Sequence, residues 1–134
     1  MRAVLDPNVL ISSLLSPAGV PGQLLKAWLD GEFELIVSRV LLAELGRALA
    51  YPKLRSRISA DETKALIDLL QRTATMAEDP SDAPRRSRDP GDDYLLALAE
   101  SCSAAFVTGD EDLLDMRQLP VQSAREFLLK LGAR

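Results

Sequence analysis

Histidine is absent from this chain, and cysteine occurs once, at Cys102. The first absence excludes Ser-His-Asp and Cys-His nucleophile systems, zinc sites built on imidazole, and the histidine acid–base pair of metal-free ribonucleases. The second excludes an intrachain disulfide and a Cys-rich zinc site, and it fits a reduced, cytoplasmic compartment. Aromatic residues are scarce, with one Trp, two Tyr and three Phe, so the core must come mostly from Leu, Ala and Val. No apolar run is long enough to span a bilayer, and Met1-Arg2-Ala3-Val4-Leu5-Asp6 carries no signal-peptide core. A soluble intracellular protein is expected, whose chemistry must use carboxylates, hydroxyls, Lys, Arg or a metal.

What is present suffices for one ordinary domain. The 134 residues, 47% of them hydrophobic, match the common size of a single domain, so one unit over residues 1–134 is expected. The net charge of −4, from 20 acidic and 16 basic residues, argues against a nucleic-acid binder that relies on bulk positive charge. The basic residues are nevertheless grouped. Arg47, Lys53, Arg55 and Arg57 fall in one stretch and Arg85, Arg86 and Arg88 in another, so a basic rim around an acidic centre is open beside plain solvated surface.

Strand and helix patterns alternate. Arg2 to Leu5 reads as a buried strand and Val9 to Leu15 as a helical turn or two, stopped by the Ser16–Pro21 loop. Gln23 to Leu29 is a short amphipathic helix with Gly31 just past its end, and Phe33 to Val37 a second strand. Ser38 caps a helix to about Ala50, ended by Tyr51-Pro52. Ser59 and Glu62 form a capping box for a helix to about Thr73, and Thr75 to Ala77 follows as a short strand. Residues 79–90 read as an exposed loop. A helix to about Ser101, a strand Ala105–Val107, a small helix around Asp112–Asp115, a strand at Val121-Gln122 and a helix capped by Ser123 and Glu126 complete the chain. This alternation predicts a three-layer α/β/α sandwich around a parallel sheet, with ligands at the carboxyl ends of its strands.

Four carboxylates stand where local structure does not require them. Asp6 ends the first strand; it has a second reading as a helix cap, though Asn8 could cap equally well. Glu44 falls within a stripe formed by Val40, Leu41, Leu45 and Ala48, where a buried carboxylate must be paired, protonated or metal-bound. In Arg88-Asp89-Pro90-Gly91-Asp92-Asp93, Asp89 and Pro90 fit N-cap and N1, and Asp92 fits N3. Asp93 is left without a capping role, ahead of an almost wholly apolar segment. Asp110 follows the strand Ala105–Thr108 and mirrors Asp6, with a helix cap as its alternative role. Like charges brought together raise one another's pKa and destabilise the fold unless something positive lies between them. An all-oxygen cluster favours Mg²⁺ or Mn²⁺, and such sites activate water for phosphodiester hydrolysis.

These residues resemble the PIN-domain nucleases, and among them the VapC-like toxins of toxin–antitoxin systems. The likeness is carried by Asp6-x-Asn8, by Glu44 in Ser-Arg-Val-Leu-Leu-Ala-Glu-Leu, by Arg-Asp-Pro-Gly-Asp-Asp ending at Asp93, by Thr108-Gly109-Asp110, and by the late Ser-Ala-Arg-Glu-Phe-Leu. It covers essentially the whole chain. The resemblance implies that Asp6, Glu44, Asp93 and Asp110 bind the metal, that Asn8 and Thr108 orient Asp6 and Asp110, and that Asp112 is a candidate extra ligand. It further implies Mg²⁺- or Mn²⁺-dependent ribonuclease activity, a cognate antitoxin partner and homodimers. One departure is Pro7, where the family usually has Thr between the Asp and the Asn.

If RNA is the substrate, Arg47, Lys53, Arg55, Arg85, Arg86 and Arg88 are candidates for holding its backbone. Few aromatics leave little room for reading stacked bases. Leu24, Leu25 and Trp28 offer either a dimer patch or plain core. Two further readings stand beside the nuclease: a PIN-fold binding module that has lost catalysis, and a phosphoacceptor domain using Asp6. Asn8 stands where haloacid-dehalogenase-like phosphatases need a second Asp, which disfavours the latter.

Overall fold

The computed structural model describes residues 1–81, 92–115 and 120–133, with Asp112 described by its backbone only. Five strands form one sheet: β1 (Arg2–Leu5), β2 (Glu34–Val37), β3 (Thr75–Met76), β4 (Ala105–Val107) and β5 (Val121–Gln122), in the order β3-β2-β1-β4-β5. Every pairing is parallel. The helices are α1 (Pro7–Leu15), α2 (Val20–Leu29), α3 (Arg39–Leu49), α4 (Pro52–Arg55), α5 (Ala60–Thr73), α6 (Asp93–Ser101), α7 (Glu111–Leu114) and α8 (Ala124–Gly132).

The strands read as continuous apolar runs because helices cover both faces of a parallel sheet. Ala3, Val4 and Leu5 in β1 and Leu35, Ile36 and Val37 in β2 are all buried. The chain moves from β1 to β2 to β3 in one direction, then returns past β1 to β4 and continues to β5. Right-handed crossovers therefore place the helices joining β1 to β2 and β2 to β3 on one face and α6, which joins β3 to β4, on the other. Helix α8 follows the last strand and returns to the first face. Helices α1, α2, α3, α5 and α8 pack on one another, while α6 lies against β1 and β4. The three-layer α/β/α sandwich is as expected. Among the described residues no helix is long and apolar enough to cross a membrane.

Local signals hold at most boundaries. Ser38 caps α3, Ser59 with Glu62 and Ser123 with Glu126 close capping boxes on α5 and α8, and Gly31 takes the left-handed φ of +81° beyond α2. Tyr51-Pro52 does end α3, but Pro52 also opens α4, since proline is preorganised for the first helical position. Asp92 directly precedes α6 and makes no side-chain cap, so it does not sit at N3 as the sequence suggested; Asp89 and Pro90 lie outside the described residues. In the segment expected as an exposed loop, Asp79 is half-buried and its Oδ2 accepts the Val40 N–H at 3.1 Å.

The stripe on α3 needs a larger correction. Leu41, Leu42, Leu45 and Leu49 face the core, whereas Val40 is 41% exposed. Val40, Glu44 and Ala48 form the neighbouring (i, i+4) row, so Glu44 lies at the margin of the buried face, half in solvent. Leu24 and Trp28 are also core residues, with Leu25 packed against them, so they do not form a patch on the monomer's surface.

Close packing matters most at the start of α2. A Cβ on Gly22 would lie 1.9 Å from the Pro17 carbonyl oxygen, because the Ser16–Gly19 turn folds back over the first turn of the helix. Gly22→Ala must displace backbone, and a loss of about 2 kcal/mol or more is expected in chemical or thermal denaturation. A wild-type Tm for that variant would contradict this packing.

Candidate active site

The strand ends decide where the acids meet. Leu5 pairs with Val107, and the Asp6 N–H donates to the Val107 carbonyl at 2.9 Å, so the last ladder rung brings Asp6 beside Thr108. Asp6 is 5% exposed and serves as N-cap of α1. Its Oδ1 accepts the Asn8 N–H at 2.9 Å, and its Oδ2 accepts the Thr108 hydroxyl at 2.9 Å. The same Thr108 oxygen accepts the Asp110 N–H at 3.1 Å. One buried hydroxyl thus joins the acids that end β1 and β4. Asn8 acts through its backbone, and its side chain is exposed.

Glu44 lies on α3, and Asp93 begins α6. Glu44 Oε2 accepts a hydrogen bond from the Tyr94 hydroxyl. Asp93, 5% exposed, is the first residue of α6, directly before Tyr94. The sequence reading placed Tyr94 in an apolar run and missed this link. The signal was there in the residue type, since a buried tyrosine hydroxyl usually finds a partner. Arg47, Lys53, Arg55 and Arg57 are exposed around α4, while Arg85, Arg86, Arg88 and the Asp112 side chain lie outside the described residues.

Comparison with known proteins decides the family. The PIN domain matches residues 2–112. The chain belongs to the PIN domain family. An uncharacterized protein of Methanocaldococcus jannaschii is 28% identical over 117 residues, covering 87% of this chain and 76% of that one. A Pyrobaculum aerophilum crystal structure superposes with a TM-score of 0.70 at 18% identity, over the full length of both chains. A chain of VapBC2 from Rickettsia felis, solved bound to a DNA fragment from their promoter, gives 0.66 at 13% identity, covering 92% of this chain and 98% of that one. These solved structures share the fold of this PIN domain.

A cleft of about 700 Å³ opens at this edge of the PIN sheet, lined by Asp6, Asn8, Thr108 and Asp110 together with the first turns of α2 and α8. A second groove of about 790 Å³ runs between α3, α5 and the end of β3 and contains none of the four expected acids. Its half-buried carboxylate, Asp79, accepts the Val40 N–H with Oδ2, while Oδ1 is buried with no hydrogen-bond partner among the described residues.

Burial is the main force on Asp6 and pushes its carboxyl above the usual carboxylate range. The charges of Glu44 and Asp110 push the same way, while the hydrogen bonds from Asn8 and Thr108 pull it back. Burial raises the Tyr94 phenol likewise, and its hydrogen bond to Glu44 adds to the shift, so it remains a donor at all ordinary pH. Among the described residues the acids do not close into a group of three tight enough to grip an ion. Asp6 nonetheless lies within the electrostatic reach of both Glu44 and Asp110.

The sign of the stability effect follows. The folded state holds the Asp6 proton more tightly than the unfolded chain. The resulting stability is full below the unfolded-state pKa of about 3.9 and is lost as pH rises through the raised folded value. In cation-free buffer, Asp6→Asn should melt with the wild type near about pH 3 and several degrees above it at neutral pH, since Asn still caps α1. A variant that melts below the wild type only at neutral pH would contradict this account.

Proposed function

We propose that this PIN domain is a ribonuclease that hydrolyses phosphodiester bonds in RNA with a carboxylate-held Mg²⁺ or Mn²⁺ ion, as the toxin of a toxin–antitoxin pair. The observation that carries the reading is Asp6. It is a carboxylate buried at the topological switch point of a parallel sheet; among the described residues no basic side chain acts on it, and two more acids lie near enough to raise its proton affinity. Buried charge of one sign calls for a positive counterpart, and a donor set made only of oxygens suits a hard divalent cation.

In this reading Asp6, Glu44, Asp93 and Asp110 hold the ion, with Asp112 as a candidate further ligand. When bound, the ion supplies charge neutralisation at the phosphate and acidification of the attacking water. The rest is done by the chain. The Asn8 N–H and the Thr108 hydroxyl each fix one oxygen of Asp6, and Thr108 also fixes the Asp110 backbone. The Tyr94 hydroxyl orients Glu44. Arg47, Lys53 and Arg55 are exposed after the Glu44 helix, and Arg85, Arg86 and Arg88 precede Asp93 in sequence; both groups are assigned to the flanking RNA backbone.

Pro7 does not favour the alternative of a binding module without catalysis. It occupies N1 of α1, where the N–H has no intrahelical acceptor in any case, and Asp6 takes its cap bond from Asn8 instead. The fold shared with a VapBC chain, together with the sequence resemblance, supports an antitoxin protein as partner, and the resemblance alone supports a homodimer and a cytoplasmic setting.

The purified protein should cleave RNA with Mg²⁺ or Mn²⁺ and stop when EDTA is added. Asp6→Asn and Asp93→Asn should each reduce cleavage by at least about 100-fold while circular dichroism stays native. Mn²⁺ should raise the wild-type Tm and leave that of the double variant unchanged. Cleavage that persists in both single variants removes the assignment.

A further inference from the structure

The cleft that holds Asp6 and Asp110 is also lined by Arg125, in the first turn of α8. Nothing in the helix calls for a cation there. The positive end of the helix dipole disfavours a basic side chain in the first turn, and the capping is complete without it. Ser123 Oγ accepts the Glu126 N–H at 3.1 Å, and Glu126 Oε1 accepts the Ser123 N–H at 3.1 Å. Arg125 takes part in no ion pair among the described residues and is exposed.

Its position is nevertheless firmly set. Two residues on, Phe127 is 2% exposed and meets Phe33 edge-on, with ring centroids 5.1 Å apart and planes at 84°. Helix α8 also packs on α2, whose first residues form the facing wall of the cleft. An exposed arginine with no ion pair among the described residues thus stands on an anchored helix and lines a cleft whose other charged residues are acids.

We propose that Arg125 binds a backbone phosphate of single-stranded RNA beside the acidic centre, a role that rests on the ribonuclease reading. A polyanion entering this cleft meets three acidic residues that repel it, Asp6, Asp110 and Glu111. Arg125 is the one basic residue lining the cleft among the described residues, and its planar fork of donors matches phosphate oxygens. A peptide in the same place would need charges of both signs to match Arg125 and the acids, whereas a phosphodiester chain running past Arg125 needs a cation only at its phosphates.

The test measures binding of a fluorescein-labelled oligouridylate across a salt series, and cleavage of the same oligomer, for the wild type, Arg125→Ala and Arg125→Lys. Loss of one phosphate contact to a single strand should flatten the slope of log K against log salt by about 0.7 and weaken binding roughly tenfold at low salt. KM should rise with kcat nearly unchanged, and Lys should restore most of the slope. An unchanged slope and KM in Arg125→Ala, with a cleaving wild type, overturns the proposal alone, as does a fall confined to kcat. A wild type that neither binds nor cuts RNA removes the ribonuclease reading and this proposal with it. Loss of binding to a partner protein with RNA affinity intact assigns Arg125 to a protein interface and overturns the phosphate role.

Discussion

The Asp6 carboxylate is the constraint around which this molecule is arranged. It sits at the end of the central strand, out of water, with one oxygen on the Asn8 N–H and the other on the Thr108 hydroxyl. Those two neutral donors hold it in place but leave its charge only partly compensated, and Glu44 and Asp110 make the ionised form costlier still. Stability and the proposed metal-binding role therefore pull in different directions at one residue. A side chain that weakens the fold when ionised is the kind of strain proteins keep at working sites.

Topology explains why the strain is located there. The connections leaving β1 and β4 run to opposite sides of the sheet, so their carboxyl ends border an open crevice that no crossover covers. The other residues of the proposed site are anchored to rigid elements. Asp110 is tied by its backbone to Thr108, Glu44 to Tyr94 on a helix from the opposite layer, and Arg125 to a helix pinned through Phe127. Far from the crevice, Arg2 bonds Glu34 at 2.7 Å and the Cys102 carbonyl at 2.6 Å, and the Thr75 hydroxyl bonds Glu34 at 2.8 Å. Exposed as it is, this network adds little stability, but it ties three strands together at their opposite ends.

Much of the architecture was legible from local chemistry. The buried strands show as apolar runs, and the two capping boxes, Ser38 and Gly31 mark helix ends through short-range hydrogen bonds and a left-handed turn. The strand-end acids Asp6 and Asp110 were legible for the same reason, because a polar residue closing an apolar strand needs no tertiary information to be noticed. Glu44 drew attention in the sequence as a carboxylate in an apolar stripe, but the stripe gave it the wrong burial. Leu41, Leu45 and Leu49 lie one row over from Val40, Glu44 and Ala48, and with apolar residues in both rows the helical period cannot say which one faces the sheet. Helix α4 was hidden because the same proline that stops one helix can start another.

The one-dimensional order thus determined the α/β class, the all-oxygen chemistry imposed by the lack of histidine, and the set of acids worth following. Only the folded chain decided which groups act on which. Thr108 is 102 positions from Asp6 and Tyr94 is 50 from Glu44, and no local pattern encodes such pairings. They arise from strand register and from the reversal of strand order, which are global properties of how the sheet is assembled. The same holds for Arg125, an unremarkable surface cation in sequence, which the packing of α8 against α2 turns toward the cleft of Asp6 and Asp110.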